Sequence, residues 1–430
     1  MDYTRISVHK SFGQSMMPLL HDGDIVHLKK KDFSKISIND IICVRMTRGI
    51  RTASGPHPNL LLQGEGEFFT HRVIYKTQKY IITRGDNNLL SDGKIYPKNI
   101  IGTVNKIQRE SNIFDINDLY LMQSTLYFRE IVKVKKALEK EKIDYVILKG
   151  LPIHLFYEGE HPKRLYADCD LLISKSKYQK AKKILNDLGY LEYDTSYSVV
   201  QKKLKKGETE VSFFKNINGA VVTFDIHLEA VFLMTQISNT NALYPRRLVD
   251  KFSEMLIGDV RSVRIFEERV NILSAEYLFV YLCLHLYHHN FQGTYRYDLI
   301  VKIIKIEKLD YKKIASIINE FKLNNLVYPV LLLFIKYYDV KFDKAFLSSI
   351  KPSSEIMSIF KGHASNVNIF NNESRVASGI TRFRMLFQIS PNRLRRYGIF
   401  INPQVIFFVI WITVNRLGLL RRPASRDFSQ

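Results

Sequence analysis

Residues 164–173 read Arg164-Leu165-Tyr166-Ala167-Asp168-Cys169-Asp170-Leu171-Leu172-Ile173. Two carboxylates precede a solid apolar run, the pattern of a strand entering a buried sheet. Residues two apart on a strand share a face, so Asp168 and Asp170 present paired carboxylates. Such a pair repels unless a cation sits between them or one holds a proton. Mg²⁺ suits the pair, and phosphate chemistry is its usual partner. A solvated strand end that happens to carry two Asp reads the same way, so the surroundings decide.

Upstream, Asp115–Lys142 keeps helical spacing through Ile116, Leu119, Leu126, Ile131, Val134 and Leu138. Asp144–Leu148 follows as a short strand ending in Lys149-Gly150, then a helix with Ile153, Leu155 and Phe156. Downstream, an amphipathic helix over Lys177–Leu188 stops at Gly189, where glycine is favoured. Two strand-like runs come next, Val211–Phe214 and Ala220–Asp225, the second continuing into Ile226-His227. A third carboxylate from a neighbouring strand is what two-metal phosphoryl or nucleotidyl transfer needs. In that reading Asp168 and Asp170 bridge the metals, and Asp225 binds the one that activates an incoming hydroxyl. Gly150 lets the backbone approach a phosphate, which Lys149 and Arg164 neutralise. His227 reads either as a ligand or as a core, hydrogen-bonding residue.

The order L-K-G, R-x-x-x-D-x-D-L-L-I, D-I-H resembles the nucleotidyltransferase superfamily, and in particular its uncharacterised nucleotidyltransferase family. The resemblance runs on to Arg296-Tyr297-Asp298 and the helices beyond, covering residues 115–425. It implies a Mg²⁺-dependent transferase using a nucleoside triphosphate, with Asp168, Asp170 and Asp225 at the metal and Lys149, Gly150 and Arg164 at the nucleotide. Leu151 departs from it, standing where many members have Gly or Ser.

Residues 1–109 are of another kind. Short apolar runs at Asp24–Leu28, Asp40–Met46, His71–Tyr75, Tyr80–Thr83 and Ile100–Ile107 alternate with turn residues, the mark of a compact β domain. Three boxes stand out: Gly13-Gln14-Ser15-Met16-Met17-Pro18, Thr70-His71-Arg72-Val73-Ile74, and Gly85-Asp86-Asn87-Asn88 with Asp92 beyond. A serine hydroxyl needs a base, histidine is suited to that role near neutral pH, and an aspartate can orient the imidazole. A turn serine, a surface histidine and turn aspartates are the plain alternative. The boxes, with the Gly23-Asp24-Ile25-Val26 and Asp40-Ile41-Ile42 steps, resemble the signal peptidase family. The match is to the serine–histidine branch found in archaeal, endoplasmic-reticulum and sporulation-type enzymes. That resemblance implies Ser15 as nucleophile, His71 as general base and Asp92 as third member, with Asp86 the runner-up. Lys76 and Lys79 fall outside the motif slot. It also implies a membrane anchor ahead of the nucleophile, yet the 14 residues before Ser15 include Asp2, Arg5, His9 and Lys10.

Beyond residue 260 the pattern reads as helical: Ser274 to His289, Tyr295–Lys308, Tyr311–Phe321 and Asn325–Tyr338, with a loop over 361–380. His285 and His289 lie one turn apart, for metal or for packing. Basic flanks around Ile399–Leu420 suggest an interfacial membrane helix over 399–420 or a terminal helix packed on the core.

The chain has 430 residues and a charge of +22, from 64 Lys+Arg against 42 Asp+Glu. That favours acidic partners, but no nucleic-acid recognition module is visible, so nucleic acid is disfavoured. Three scattered cysteines suggest no disulfide framework and a reducing compartment. No run of apolar residues is long enough to span a bilayer. The expected fold is multidomain α+β. It comprises a β-rich signal-peptidase-like domain at 1–109, a central α/β nucleotidyltransferase-like domain at 110–260, and a helical region at 261–430. The expected protein is a cytoplasmic, two-activity enzyme needing Mg²⁺ for transfer and no cofactor for proteolysis. Its partners would be a peptide or protein precursor, a nucleoside triphosphate and, peripherally, an anionic membrane surface. The competing expectation is a regulatory or binding protein in which one or both sites are inactive.

Overall fold

The computed structural model describes residues 8–10, 13–45, 68–193, 209–230, 244–364, 367–373, 375–390, 395–403, 406 and 410. An antiparallel sheet, a mixed sheet and a set of helices make it an α+β protein. The first sheet runs β1 (Val8–Lys10), β2 (Ile25–Lys29), β7 (Ile100–Arg109), β3 (Ile41–Arg45), β4 (Phe68–Lys76), β5 (Ile81–Arg84), β6 (Lys94–Ile95), with β8 (Asn112–Asp115) beside β7. Its neighbours pair antiparallel, as short strands joined by tight turns allow. One face buries Val26, Leu28, Ile41 and Val104, and the other buries Ile42, Val44, Val73 and Ile81.

The second sheet runs β11 (Leu191–Tyr193), β12 (Glu210–Ile217), β13 (Ala220–His227), β10 (Cys169–Ile173), β9 (Tyr145–Lys149), β15 (Glu268–Leu273), β14 (Val260–Ile265). β10 lies at its centre, parallel to β13 and antiparallel to β9. Every residue of β10 is buried, Asp170 included, which explains the apolar run Leu171-Leu172-Ile173 that follows it. The β14–β15 hairpin departs from the expected all-helical region after residue 260. Val263, Ile265, Val270 and Ile272 alternate with polar residues and are buried, a period of two that Arg and Glu neighbours mask.

Helix α1 (Ile116–Lys140) joins the two sheets, and its Asn117 N–H donates to the capping Asp115 carboxylate. Its start packs Ile116 and Tyr120 into the first sheet's core, and its later turns pack Ile131, Val134 and Leu138 into the second's. Helices α2 (Leu151–Glu158) and α3 (Tyr178–Asp187) follow β9 and β10, and α4 (Arg246–Gly258) precedes β14. The helical region holds α5 (Ala275–His288), α6 (Thr294–Ile306), α7 (Tyr311–Glu320), α8 (Asn324–Tyr338), α9 (Lys344–Ser349), α10 (Ser354–Ala364) and α11 (Arg375–Ile389). The last two correct the loop expected over 361–380, since helix enters it from both ends. The expected helix over 399–420 lies mostly outside the described residues, although 399–401 end a 3₁₀ segment. Among the described residues no helix is long and apolar enough to cross a membrane.

Candidate active sites

Three residues far apart in sequence meet on the first sheet. His71 Nε2 lies 3.0 Å from Ser15 Oγ, and its Nδ1 lies 2.7 Å from Asp92 Oδ2. Thr83 donates to the same carboxylate oxygen at 2.8 Å. His71 and Asp92 are buried while Ser15 is half-exposed. The serine loop is anchored from below by Met16, Leu19 and Leu20 in the core. From the side, Asn87 N–H donates to the Ser15 carbonyl at 2.8 Å. Gly85 comes so close that a Cβ there would sit 2.7 Å from that oxygen, so only glycine fits.

Asp86, the runner-up, is elsewhere. Both its oxygens accept from Arg72, at 2.6 Å each. Arg72 follows His71 on β4 and so points the other way, donating also to the Asn39 and Lys163 carbonyls and to Tyr120 Oη. Sequence reasoning gave Arg72 and Thr83 no role; for Arg72 the available signal was its place next to His71 on β4.

On the second sheet, the ligand oxygens of Asp168, Asp170 and Asp225 lie within 4.8 Å of one another. Register brings them there, since Asp170 pairs with Asp225 across β10 and β13, and with Lys149 across β9. Asp168 stands one residue ahead of β10. Lys149 Nζ bonds Asp170 and lies 4.0 Å from Asp168. His227 Nε2 lies 2.8 Å from Asp170 Oδ1, a hydrogen-bonding position behind the cluster. Ser212, opposite Asp225 in register, donates to it at 2.6 Å; the sequence gave no hint of this contact. Gly150 has φ +105° and caps α2, and a Cβ there would meet the Asp168 carbonyl at 3.3 Å. Arg164 stacks over the Tyr295 ring at 4.3 Å.

The charges within the cluster oppose one another. Burial and the charges of Asp170 and Glu210 push the Asp225 carboxyl up to about 7. Burial and Asp170 likewise raise Asp168. Burial works against Asp170 too, but Lys149 and His227 overcome it and hold its carboxyl below the usual range. An all-oxygen donor set that is short of positive charge fits a hard divalent cation such as Mg²⁺. His285 and His289 sit apart from this cluster, Nε2 to Nε2 3.1 Å. Burial pushes both well below the usual imidazole range, and among the described residues no third ligand joins them.

Residues 113–339, more than half of the chain, match the sequence family described as "Uncharacterised nucleotidyltransferase". The chain belongs to this family. The search of curated proteins found no match. Among solved structures, the solution structure of the antibiotic-resistance factor ANT(2″)-Ia is 14% identical, with 51% of this chain and 99% of that chain covered, at a TM-score of 0.29. An antigenic nucleotidyltransferase-like protein from Paracoccidioides brasiliensis is 15% identical, with 56% and 97% covered and a TM-score of 0.32. ANT(2″)-Ia in complex with adenylyl-2″-tobramycin gives 14%, 47% and 97%, and 0.29. The family match begins within β8, the last strand of the first sheet, so the nucleotidyltransferase-family assignment rests on residues 113–339 alone.

Proposed function

We propose that this nucleotidyltransferase-family protein is a two-centre enzyme. Residues 1–109 form a signal-peptidase-like serine endopeptidase, and residues 110–260, completed by the helical region 261–430, form a Mg²⁺-dependent nucleotidyltransferase. The carrying observation is the hydrogen-bonded line Ser15–His71–Asp92, drawn from three separate segments. In it His71 takes the Ser15 proton as the hydroxyl attacks a peptide carbonyl, and Asp92 fixes the imidazole tautomer and stabilises the imidazolium. Thr83 holds Asp92 so that its lone pair stays aimed at the ring.

At the second centre, Asp168, Asp170 and Asp225 would hold Mg²⁺, which supplies charge neutralisation for a triphosphate and activation of an acceptor. Gly150 opens the backbone for a phosphate, and Arg164 offers it a guanidinium. Ser212 and His227 orient Asp225 and Asp170. A second reading keeps the peptidase and makes this centre a binding relic. It is favoured by Lys149, whose ammonium already serves Asp170 as counter-charge, and by Leu151 at the turn.

The test uses a fluorophosphonate probe and radiolabelled nucleoside triphosphates. Labelling of the wild type that disappears in Ser15→Ala and His71→Ala supports the peptidase, and labelling that persists in Ser15→Ala ends it. Nucleotidyl transfer or pyrophosphate release lost in Asp168→Asn supports the transferase. Absence of both in the wild type, with Mn²⁺ present, favours the relic.

A further inference from the structure

A cleft of about 240 Å³ is lined by residues from both parts of the chain. Met17, Pro18 and Gly85 form one wall, all belonging to the loops that position Ser15. Arg164, on the run into Asp168, forms the other with Tyr295 and Asp298. Arg84 also lines it. Arg72 and Asp86 border the cleft but satisfy each other. Arg84 gives one N–H to the Phe370 carbonyl, and Arg164 stacks on Tyr295. Neither makes an ion pair with a carboxylate among the described residues. A guanidinium withdrawn from water without a counter-ion is costly, and its planar fork fits a carboxylate in two-point fashion. Arg84 is buried and Arg164 half-buried, and the two facing one cleft suit an anion from outside.

We infer that the cleft receives the carboxylate end of a peptide, the one cleavage at Ser15 creates, and presents it to the second centre as the nucleotidyl acceptor. This deepens the function proposed above and rests on it. The sequence of bonds closes without further reagents. Water breaks the Ser15 ester, the serine oxygen regains its proton from His71, and the peptide leaves as a carboxylate. That carboxylate is already ionised, so it needs no base. One of its oxygens bonds to the α-phosphorus of a nucleoside triphosphate, the bond from that phosphorus to the bridging oxygen breaks, and pyrophosphate leaves. The product is an acyl-nucleotide anhydride.

The test titrates acetyl-Ala-Ala-Ala as free acid and as C-terminal amide into the full chain by calorimetry. The acid should bind at least tenfold tighter, and Arg84→Gln and Arg164→Gln should each remove that preference while keeping the wild-type circular dichroism spectrum. Equal binding of acid and amide overturns the inference, even if either variant fails to fold, because that comparison needs no variant. Arg164 has N–H donors enough for the nucleotide phosphate and the carboxylate at once, so tripolyphosphate should bind alongside the acid; tripolyphosphate that displaces the acid would give both arginines to the nucleotide and overturn the inference. With the four nucleoside triphosphates and hydroxylamine, the acid peptide should yield a hydroxamate and the amide none; no hydroxamate alongside active nucleotide transfer to another acceptor refutes the acceptor role. Loss of serine labelling or of all transfer would instead strike the proposed function, so the two failures read differently.

Discussion

Lys149 and Asp298 carry opposite lessons about buried charge. The Lys149 ammonium bonds Asp170 and is the nearest positive charge to a cluster of three carboxylates. Burial opposes its charge, but Asp170 and Asp168 outweigh burial and raise it above its ordinary range. Lys149→Met therefore removes the ammonium counter-charge of the carboxylates, and breaking a buried pair of this kind costs roughly 3–5 kcal/mol. The variant should unfold at a lower urea concentration in EDTA, and millimolar Mn²⁺ should restore most of the loss, more than it adds to the wild type. Restoration no greater than the wild-type gain would mean the cluster does not take a metal. At Asp298 burial wins: it pushes the carboxyl up to about 7, with Glu158 adding to the effect, against a Tyr338 hydrogen bond and the Lys302 charge. A carboxyl whose folded value exceeds its unfolded one binds its proton more tightly when folded. Its contribution is then neutral at low pH and becomes a penalty as pH rises from about 4 to about 7, constant above that. The span from 3.8 to about 7 corresponds to at most about 4 kcal/mol. Asp298→Asn should gain stability over the wild type above pH 7 and lose that gain below pH 4, measured by urea unfolding across the range.

At the scale of one element, β4 does two jobs on two faces. His71 faces Ser15 and Asp92, while Arg72 faces Asp86 and the segment before β10. The guanidinium makes five hydrogen bonds, to Asp86, Asn39, Tyr120 and Lys163. Arg72→Lys should fail to replace it, because an ammonium cannot form the two-point contact with Asp86. A stability loss of about 2–4 kcal/mol is expected, with serine-probe labelling slowed several-fold because Asp86 sits in the turn that holds Ser15. Wild-type labelling rate in Arg72→Lys would show that the turn keeps its place without this clamp. Short apolar runs bounded by turn residues made β4 and its neighbours legible from sequence, and the resemblance of three boxes picked out the residues that meet around His71. What was not legible is pairing: nothing in the sequence says that Ser212 stands opposite Asp225, or that Asp86 belongs to Arg72 rather than to His71. Those facts are register, set by contacts between segments far apart in the chain. The β14–β15 hairpin escaped for a related reason, its apolar positions being few and flanked by arginines that suit an exposed helix equally well.

The whole molecule is held together across the seam between its sheets. Helix α1 begins in the core of the first sheet with Ile116 and Tyr120 and continues along the second. Around that seam Tyr75 donates to the Tyr337 carbonyl, Arg84 to the Phe370 carbonyl, and Ser91 to Asn371. Lys163 and Lys31 share Asp40. Surface ion pairs are worth little, so the apolar contribution decides. Burying two large side chains supplies roughly 3–6 kcal/mol, enough to make the unfolding of one part expose a costly face of the other. The full chain should therefore unfold in one transition, with tryptophan-independent probes such as far-ultraviolet circular dichroism and tyrosine fluorescence coinciding. A chain begun at residue 113 should be less stable by a few kcal/mol and prone to associate through Ile116, Leu119 and Tyr120, which Ile116→Lys with Tyr120→Lys should suppress. Two well-separated transitions in the full chain, the lower one abolished by removing residues 1–109 with no change in the upper, would mean that the two centres share a polypeptide and nothing else. The cleft lined by both parts of the chain would then lack the fixed walls that a shared substrate requires.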